Sequence, residues 1–444
     1  MAIRSKEPVL IVGAGLAGLS CAVRLRREGI PILVLDASDG VGGRVRTDRV
    51  NADGGVYQVD RGFQVYLTAY PEGRRVLRIP ALELRSFLPG AMVRFEGRFW
   101  RVADPLRAPL TLLGMLRSPL MTVRDAPAVA MLDTSLRLAS EARCWNAPEE
   151  TTEQLLRGIG ISARAIDRIF RPFFGGVFLD RSLKTSARKF RATYRMFARG
   201  RAALPAAGMQ AIPAQLAGML DSSALRTGRA VTGIGPGEVT LASGDIVGAS
   251  AIVVATDGNA AARLLPDMPA PSWKATATLS FAAQTPPSRE PILYLDGDGS
   301  GPANHVAVIS NVQPQYAPPG RSLISASVVA PHDPSLHDSV LEPRVRSQLR
   351  EWFGGQVDDW RYLRTDFIQH ALPSEDAPAL EMPRRPVMTK ADRIFVAGDH
   401  VDNASINGAL ESGRRAAEAV LACVRAGATG TRAGGQGSSG NCRA

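Results

Sequence analysis

Three glycines and one aspartate near the start of the 444-residue chain have the spacing of a phosphate-binding turn. Gly13, Gly15 and Gly18 form a GxGxxG motif, and Asp36 follows the next apolar run. In such a motif the first glycine permits a tight turn, the second lets the backbone approach a pyrophosphate, and the third allows close packing of helix on strand. A carboxylate at Asp36 can accept both hydrogen bonds of a ribose diol. These residue types predict a dinucleotide site.

The sequence around the glycines supplies the elements that would position them. Residues 9–12 and 31–35 are apolar runs of the kind found in buried parallel strands. Between them apolar residues recur at helical spacing until Gly29, so the helix start would point free N–H groups at a phosphate. No Arg follows Asp36 to receive a 2′-phosphate, which disfavours NADP and leaves NAD and FAD open.

A GGR turn, Gly42-Gly43-Arg44, follows the second apolar run. Together with residues 33–37 it resembles the FAD-binding opening of the flavin amine oxidase, protoporphyrinogen oxidase and phytoene desaturase superfamily. The resemblance implies that FAD is the cofactor and that this turn lies against its diphosphate and ribityl chain. The superfamily usually has Glu where this chain has Asp36, and the shorter acid can still reach a ribose.

The same resemblance extends to two further stretches of the chain. Residues 60–65, with Gln64 and Val65, resemble the loop that runs beside the flavin ring in the superfamily. Residues 230–234 read as a strand, and the resemblance implies that the backbone at Val231 touches adenine.

A C-terminal signature of the superfamily is also present. Residues 393–397 predict a buried strand that ends in Gly398-Asp399, and a long helix follows that Ser405 or Asn407 can cap. The resemblance implies that Asp399 binds the ribityl or phosphate end and that the helix start points at the flavin pyrimidine ring. A helix N-terminus stabilises the negative charge of a reduced flavin. The positions assigned to the cofactor here are Gly398, Asp399, Ile406, Asn407 and Ala409.

The predicted fold class is α/β, with a Rossmann-like FAD-binding domain assembled from separated segments and an inserted α+β substrate domain. The predicted FAD-binding segments are residues 1–66, 211–268 and 386–426. Residues 67–210, which read as mainly helical, and residues 269–385, which are richer in strands, form the predicted substrate domain; they are called the first and second insertion below. Residues 427–444 lack apolar periodicity and predict a disordered tail.

Composition excludes several classes of function. The net charge is +11, but only five of the 53 basic residues are Lys and the Arg residues are scattered, so no nucleic-acid footprint is predicted. The four cysteines form no CxxC pair and fit a reducing, cytoplasmic location, and the five histidines have no metal-ligand spacing. No stretch reaches the roughly 18 apolar residues of a membrane span.

Residues 105–121 are the most apolar stretch outside the predicted sheet. Leucines recur in it at helical spacing and three prolines interrupt it. It is interpreted either as a helix that covers the core of the first insertion or as a peripheral membrane patch, at which arginines meet lipid headgroups.

No catalytic residue is assigned from sequence, because a flavin performs hydride transfer with little help from side chains. Lys274 is either a surface lysine or the lysine that many amine oxidases of the superfamily hold near the flavin, although the spacing places that position nearer Thr276 or Ala277. The stretch from Phe170 to Phe178 contains four Phe and forms either core packing or the wall of an apolar channel. Arg171 within it could stack on a ring or meet an acid.

The leading hypothesis is an FAD-dependent oxidoreductase of the desaturase or dehydrogenase type, which takes hydride from a mostly apolar small molecule such as an isoprenoid or polyene. Residues 405–407 lack the aromatic that amine oxidases usually place before the last helix, which disfavours that class. The alternatives are a flavin amine oxidase that releases peroxide and a non-catalytic flavoprotein scaffold. The substrate, the electron acceptor and the oligomeric state stay open.

Overall fold

A computed structural model describes residues 7–103, 112–329, 338–378 and 393–430 of the chain. The strands of these residues are, in chain order, β1 (Val9–Val12), β2 (Ile32–Leu35), β3 (Thr47–Ala52), β4 (Gly55–Asp60), β5 (Tyr66–Leu67), β6 (Arg85–Ser86), β7 (Ala91–Phe95), β8 (Arg98–Val102), β9 (Ala202–Leu204), β10 (Leu225–Arg226), β11 (Val231–Gly235), β12 (Glu238–Leu241), β13 (Ile246–Gly248), β14 (Ala251–Val254), β15 (Trp273–Ala283), β16 (Leu293–Asp296), β17 (Ala303–Val308), β18 (Ser322–Val329), β19 (Arg361–Pro373) and β20 (Ile394–Val396).

The α-helices of the same residues are α1 (Leu16–Arg27), α2 (Pro71–Val76), α3 (Leu112–Arg117), α4 (Asp125–Leu138), α5 (Glu141–Trp145), α6 (Thr152–Gly158), α7 (Ala163–Ala165), α8 (Arg171–Phe178), α9 (Ala187–Arg199), α10 (Ala211–Ala217), α11 (Gly258–Leu264), α12 (Ile309–Val312), α13 (Asp338–Phe353) and α14 (Ile406–Gly430). A π-helical turn at Ile166–Phe170 joins α7 to α8.

A five-stranded parallel sheet in the order β10-β2-β1-β14-β20 draws its strands from widely separated parts of the chain. Both β1 and β14 are buried along their whole length, as their uninterrupted apolar sequences require. The predicted α/β fold class with a Rossmann-like sheet is confirmed. The strands predicted at residues 9–12 and 393–397 correspond to β1 and β20, and β14 lies between them.

Helix α1 packs on this sheet through its glycines. Gly13 adopts a φ of +111°, and a Cβ on Gly18 would lie 1.9 Å from the Gly13 carbonyl oxygen. On its other side α1 meets α14: the Ser20 hydroxyl donates to the Leu410 carbonyl at 2.7 Å. A Cβ on Gly413 would lie 2.1 Å from the Ala17 carbonyl oxygen, so the two helices approach closely.

A seven-stranded mixed sheet, in the order β19-β15-β18-β17-β16-β7-β8, forms the second layer. Five of its strands come from the second insertion, which was predicted to be the richer of the two in strands. Strands β7 and β8 come from the first insertion and were not predicted. They form a hairpin whose turn residues Glu96 and Gly97 both have positive φ. Strand β7 joins the sheet by pairing with β16, about 200 residues away in sequence, a contact that no local pattern reports.

The rest of the first insertion is mainly helical, as predicted, and has its own apolar core. Of the apolar stretch 105–121, residues 105–111 lie outside the described residues. Met115, Leu120 and Met121 are buried, so that part of the stretch belongs to the core. No helix in the described ranges is both long and apolar enough to cross a membrane. The tail predicted at 427–444 also lies largely outside those ranges: α14 continues to Gly430, and residues 431–444 are not described.

Candidate active site

A cavity of about 980 Å³ lies where the parallel sheet meets the two insertions. Thirteen of the fifteen residues predicted to contact the cofactor line it: Gly13, Gly15, Asp36, Gly42, Gly43, Arg44, Gln64, Val65, Val231, Gly398, Asp399, Ile406 and Ala409. The exceptions are Gly18, which contacts the backbone of the glycine turn, and Asn407. Segments almost 400 residues apart in sequence therefore meet around one space, which is of the size expected for a cofactor and ligand pocket.

The glycine turn leaves room for a ligand at one position. Gly15 precedes the first residue of α1, has no heavy atom within 4 Å of where a Cβ would be, and lines the cavity. The Ala14 N–H donates to one oxygen of Asp36 at 2.6 Å, and the Ser38 N–H donates to the other at 2.8 Å. The open space beside free helix N–H groups, with a carboxylate next to it, fits the diphosphate and ribose of a dinucleotide.

An ion pair joins the first and last predicted cofactor segments. The Arg44 guanidinium donates to Asp399 at 2.5 Å and to the Ala371 carbonyl at 2.8 Å, and it lies 5.4 Å from the centre of the Trp273 ring. Arg44 therefore binds the second insertion as well as the end of the parallel sheet. Removing either charged partner would leave the other partly buried beside the cavity.

The start of α14 faces the cavity. The Ser405 hydroxyl accepts a hydrogen bond from the Gly408 N–H at 2.9 Å, which confirms the prediction that Ser405 can cap this helix. The Asn407 side chain is engaged elsewhere, because its carbonyl oxygen accepts from the Glu72 N–H at 3.0 Å. Ile406 and Ala409 present the first turn of the helix to the cavity.

The loop of residues 60–65 connects β4 to β5 and contacts the second insertion. The Gln64 side-chain amide donates to the carbonyls of Arg44 and Arg61, and the Phe63 N–H donates to Thr278. Asp60 at the start of the loop accepts hydrogen bonds from Tyr316 and the Met209 N–H, and burial raises its pKa to about 6.

Lys189 on α9 is a cavity-lining cation that the sequence analysis missed. Its side chain is 5% exposed, and its amino group lies 2.9 Å from Glu375 and 3.0 Å from the Ala404 carbonyl just before α14. Burial raises the pKa of Glu375, and the neighbouring lysine opposes that shift. Lysine is rare in this Arg-rich chain, and this is the one sequence feature that distinguishes Lys189. Lys274 shares it. Lys274 instead pairs with Asp376 at 2.8 Å and does not line the cavity.

The part of the cavity contributed by the two insertions is mostly apolar. Phe173, Phe178, Phe197 and Leu293 line it, and Phe63, which also lines the cavity, packs against Phe87 and His305. Both interpretations of the stretch from Phe170 to Phe178 therefore hold for different residues. Phe170 and Phe174 stack within the helical core at 6.3 Å between ring centres, whereas Phe173 and Phe178 reach the cavity.

Arg171, in the same stretch, meets acids instead of a ring. Its guanidinium lies 3.0 Å from Asp167 and 3.4 Å from Glu153.

Two buried polar side chains of the seven-stranded sheet also line the cavity, and sequence reasoning did not find them. His305 on β17 and Ser327 on β18 are opposite each other in the ladder. Burial lowers the pKa of His305 to about 4, so its ring is neutral at pH 7. Within the described ranges no group of His, Cys, Asp and Glu residues could hold a metal ion.

Comparison with known proteins gives a match along most of the chain. A family model described as flavin containing amine oxidoreductase matches residues 16–421. Short stretches match curated proteins: an "Amine oxidase [flavin-containing] A" of Sus scrofa is 34% identical over 104 residues, 22% of this chain and 20% of that protein. A "Possible lysine-specific histone demethylase 1" of Drosophila melanogaster is 38% identical over 69 residues, 16% of this chain and only 7% of that protein.

Solved structures share the fold over almost the whole chain. An oxidoreductase from Methanosarcina mazei has a TM-score of 0.72 at 18% identity, covering 93% of this chain and 100% of that chain. A protoporphyrinogen oxidase-like protein from Exiguobacterium sp. gives 0.71 at 18% identity, over 94% and 99% of the two chains. A putrescine oxidase bound to putrescine gives 0.70 at 19% identity, over 94% and 99%.

Proposed function

The chain belongs to the flavin containing amine oxidoreductase family and is an FAD-dependent oxidoreductase, and from that premise we propose that it takes hydride from a mostly apolar, uncharged small molecule. The reaction type would be a desaturation or dehydrogenation, and isoprenoids and polyenes are the substrate classes that suit the cavity. FAD, when bound, supplies the hydride acceptor. The chain's own residues would bind the cofactor, orient the substrate and exclude water.

The observation that carries the proposal is the charge distribution around the cavity. The lining residues contributed by the two insertions, within the described ranges, include no carboxylate and one cation, Lys189. The three lining carboxylates, Asp36, Asp257 and Asp399, all come from the segments around the parallel sheet. An ammonium ion that entered the apolar part would lose its hydration without gaining a counter-charge.

We further propose that the thirteen lining residues named above hold FAD. The N–H groups at the start of α1 and the space beside Gly15 suit the diphosphate, and Asp36 suits a ribose. The start of α14, with Ser405 as its cap, suits the flavin ring, where a positive helix end favours negative charge.

Anaerobic reduction of the bound flavin tests this function. The purified holoprotein, mixed without oxygen with isoprenoid hydrocarbons and alcohols, porphyrinogens, and primary and secondary amines, should lose flavin absorbance with an uncharged apolar compound and not with the amines. Bleaching by an amine alone, with peroxide release when oxygen is admitted, would contradict the proposal.

A flavin amine oxidase is the second candidate, and the fold shared with a putrescine oxidase is the observation in its favour. In this cavity an amine would have to bind in its neutral form. The rate of flavin reduction would then rise with pH toward the pKa of the free amine, whereas a hydrocarbon or alcohol substrate gives no such dependence.

A further inference from the structure

Three polar side chains form a row across the strands of the seven-stranded sheet that face the cavity. Thr278 on β15 is opposite Ser327 on β18, and Ser327 is opposite His305 on β17. Directly opposite residues of adjacent strands lie on the same face of a sheet. The exposed fractions are 1% for Thr278, 2% for Ser327 and 5% for His305, so the row is buried.

The position of the proton on His305 follows from its neighbour Asn304. The Asn304 side-chain amide lies 2.9 Å from the Pro172 carbonyl oxygen, which can only accept, so the NH₂ group must point that way. The same nitrogen lies 3.3 Å from Nδ1 of His305 and directs its second hydrogen to it. Nδ1 is therefore an acceptor, and the proton of the neutral ring is on Nε2.

The hydrogen-bonding capacity of this pair is unused within the described part of the chain. Neither Nε2 of His305 nor Oγ of Ser327 has a hydrogen-bond partner there, although both atoms are buried. Thr278, by contrast, accepts from the Phe63 N–H. Buried polar groups without a partner are rare in folded proteins because they have lost their hydrogen bonds to water. Two such groups side by side, on residues that line a cavity, indicate a ligand.

The surroundings restrict what that ligand can be. The Phe63 ring packs edge-on against His305 at 4.8 Å, and a Cβ on Gly176 would lie 2.9 Å from Nδ1, so the imidazole is held in place. A donor at Nε2 requires an acceptor, which excludes an ammonium group at this position. A carboxylate would find no free counter-charge, because Lys189 is already paired with Glu375.

We propose that His305 and Ser327 form a subsite for a hydroxyl or carbonyl oxygen of an otherwise apolar substrate. The proposal rests on the proposed function and narrows its substrate class. The Nε2–H of His305 donates to the substrate oxygen, and the Ser327 hydroxyl donates to it or accepts from it. The apolar residues around the pair hold the hydrocarbon part of the molecule, so the subsite fixes which end of the substrate lies against this sheet.

Binding of four probes with one hydrocarbon skeleton tests the subsite. Octane, 1-octanol, 2-octanone and octylamine are titrated into the holoprotein, and the perturbation of the flavin absorbance gives each Kd. The variants are His305→Phe, which keeps a ring beside Phe63, and Ser327→Ala. The control is Ser325→Ala, on the same strand and the same face of the sheet, where the side chain is buried but does not line the cavity.

The ratio of the 1-octanol or 2-octanone Kd to the octane Kd should rise roughly tenfold in His305→Phe, as expected for one lost hydrogen bond. The same Kd ratio should also rise in Ser327→Ala, and in Ser325→Ala it should equal the wild-type ratio. An equal ratio in all four proteins overturns the subsite and leaves the proposed function intact.

If octylamine binds most tightly of the four probes and also bleaches the flavin, the proposed function is overturned. If no probe perturbs the flavin of the wild type, both fail. Should His305→Phe not retain FAD, Ser327→Ala decides the outcome.

Discussion

Among single residues, two glycines of one motif have opposite surroundings. Gly15 has open space where a Cβ would be and a φ of −72° that any residue can adopt. At Gly18, a Cβ would lie 1.9 Å from the carbonyl oxygen of Gly13. A side chain at Gly15 would therefore occupy the proposed pyrophosphate position without disturbing the fold, whereas one at Gly18 would separate α1 from the turn.

We predict that Gly15→Val gives a folded, colourless protein and that Gly18→Val does not fold. Circular dichroism and flavin absorbance measure the two properties separately. Gly158→Val is the matched control, since Gly158 also has open space around it and lies outside the cavity. Normal flavin content in Gly15→Val would place the diphosphate elsewhere.

Asp60 gives a second prediction for a single residue, on pH. Burial raises its pKa to about 6 from the ordinary 3.8, so the folded state holds its proton more tightly than the unfolded state. The contribution of Asp60 to stability is then fully present below pH 4 and is lost as pH rises to about 6. Relative to Asp60→Asn, the wild type should lose about 1–3 kcal/mol of unfolding free energy between pH 4 and pH 7.

Denaturant unfolding at a series of pH values measures this difference. Asp48→Asn serves as the control, because hydrogen bonds from Arg61 and Arg364 lower the pKa of Asp48 to about 2. Its effect should be constant between pH 4 and pH 7. A pH-independent difference for Asp60→Asn would mean that folding does not raise the pKa of Asp60.

At the scale of elements, α4 presents an apolar row that the described residues leave exposed. Met131 is 59% exposed and Leu138 is 82% exposed, two turns apart on one face, and Val123 just before the helix is 70% exposed. Arg117 and Arg124 nearby are exposed as well. Apolar side chains flanked by arginines suit an anionic lipid surface. A peripheral membrane patch was interpreted from the sequence at residues 105–121, and we predict α4 as a further place for such a contact.

We predict that Met131→Glu with Leu138→Glu reduces sedimentation with anionic liposomes several-fold and leaves the bound FAD in place. Ile246→Glu, at an exposed apolar residue on β13, is the control and should sediment like the wild type. If the wild type does not sediment with the liposomes, the predicted membrane contact is wrong.

The elements near the glycine turn were predictable because their signals are local. The run of residues 9–12 identifies β1, and Gly29 marks the end of α1. The hairpin β7–β8 was not predicted, because its place in the sheet depends on pairing with β16. Ala91–Phe95 alternates between buried and partly buried residues in the folded chain, but four of its five residues are apolar, so the sequence itself does not alternate.

For the whole molecule, the cavity lining around the parallel sheet was predictable and the lining from the two insertions was not. Motif spacing and the resemblance to the superfamily together identified thirteen lining residues from the sequence. Lys189, His305 and Ser327 belong to no motif. Their positions depend on the packing of α9 beside the start of α14 and on the register of β17 with β18, and both arise only in the folded chain.

The order of strands in the parallel sheet has a consequence for how the protein is made. Strand β1 is translated before both of the strands that complete this side of the sheet: its neighbour β14 ends at Val254 and β20 ends at Val396. The helix that covers α1 comes later still, beginning at Ile406. A nascent chain therefore carries the phosphate-binding turn with the apolar side of α1 uncovered until α14 has been synthesised, a state that invites chaperones or aggregation. We expect flavin capture to follow the synthesis of α14, and a chain that terminates before β20 should be recognised by the cell as unfolded protein.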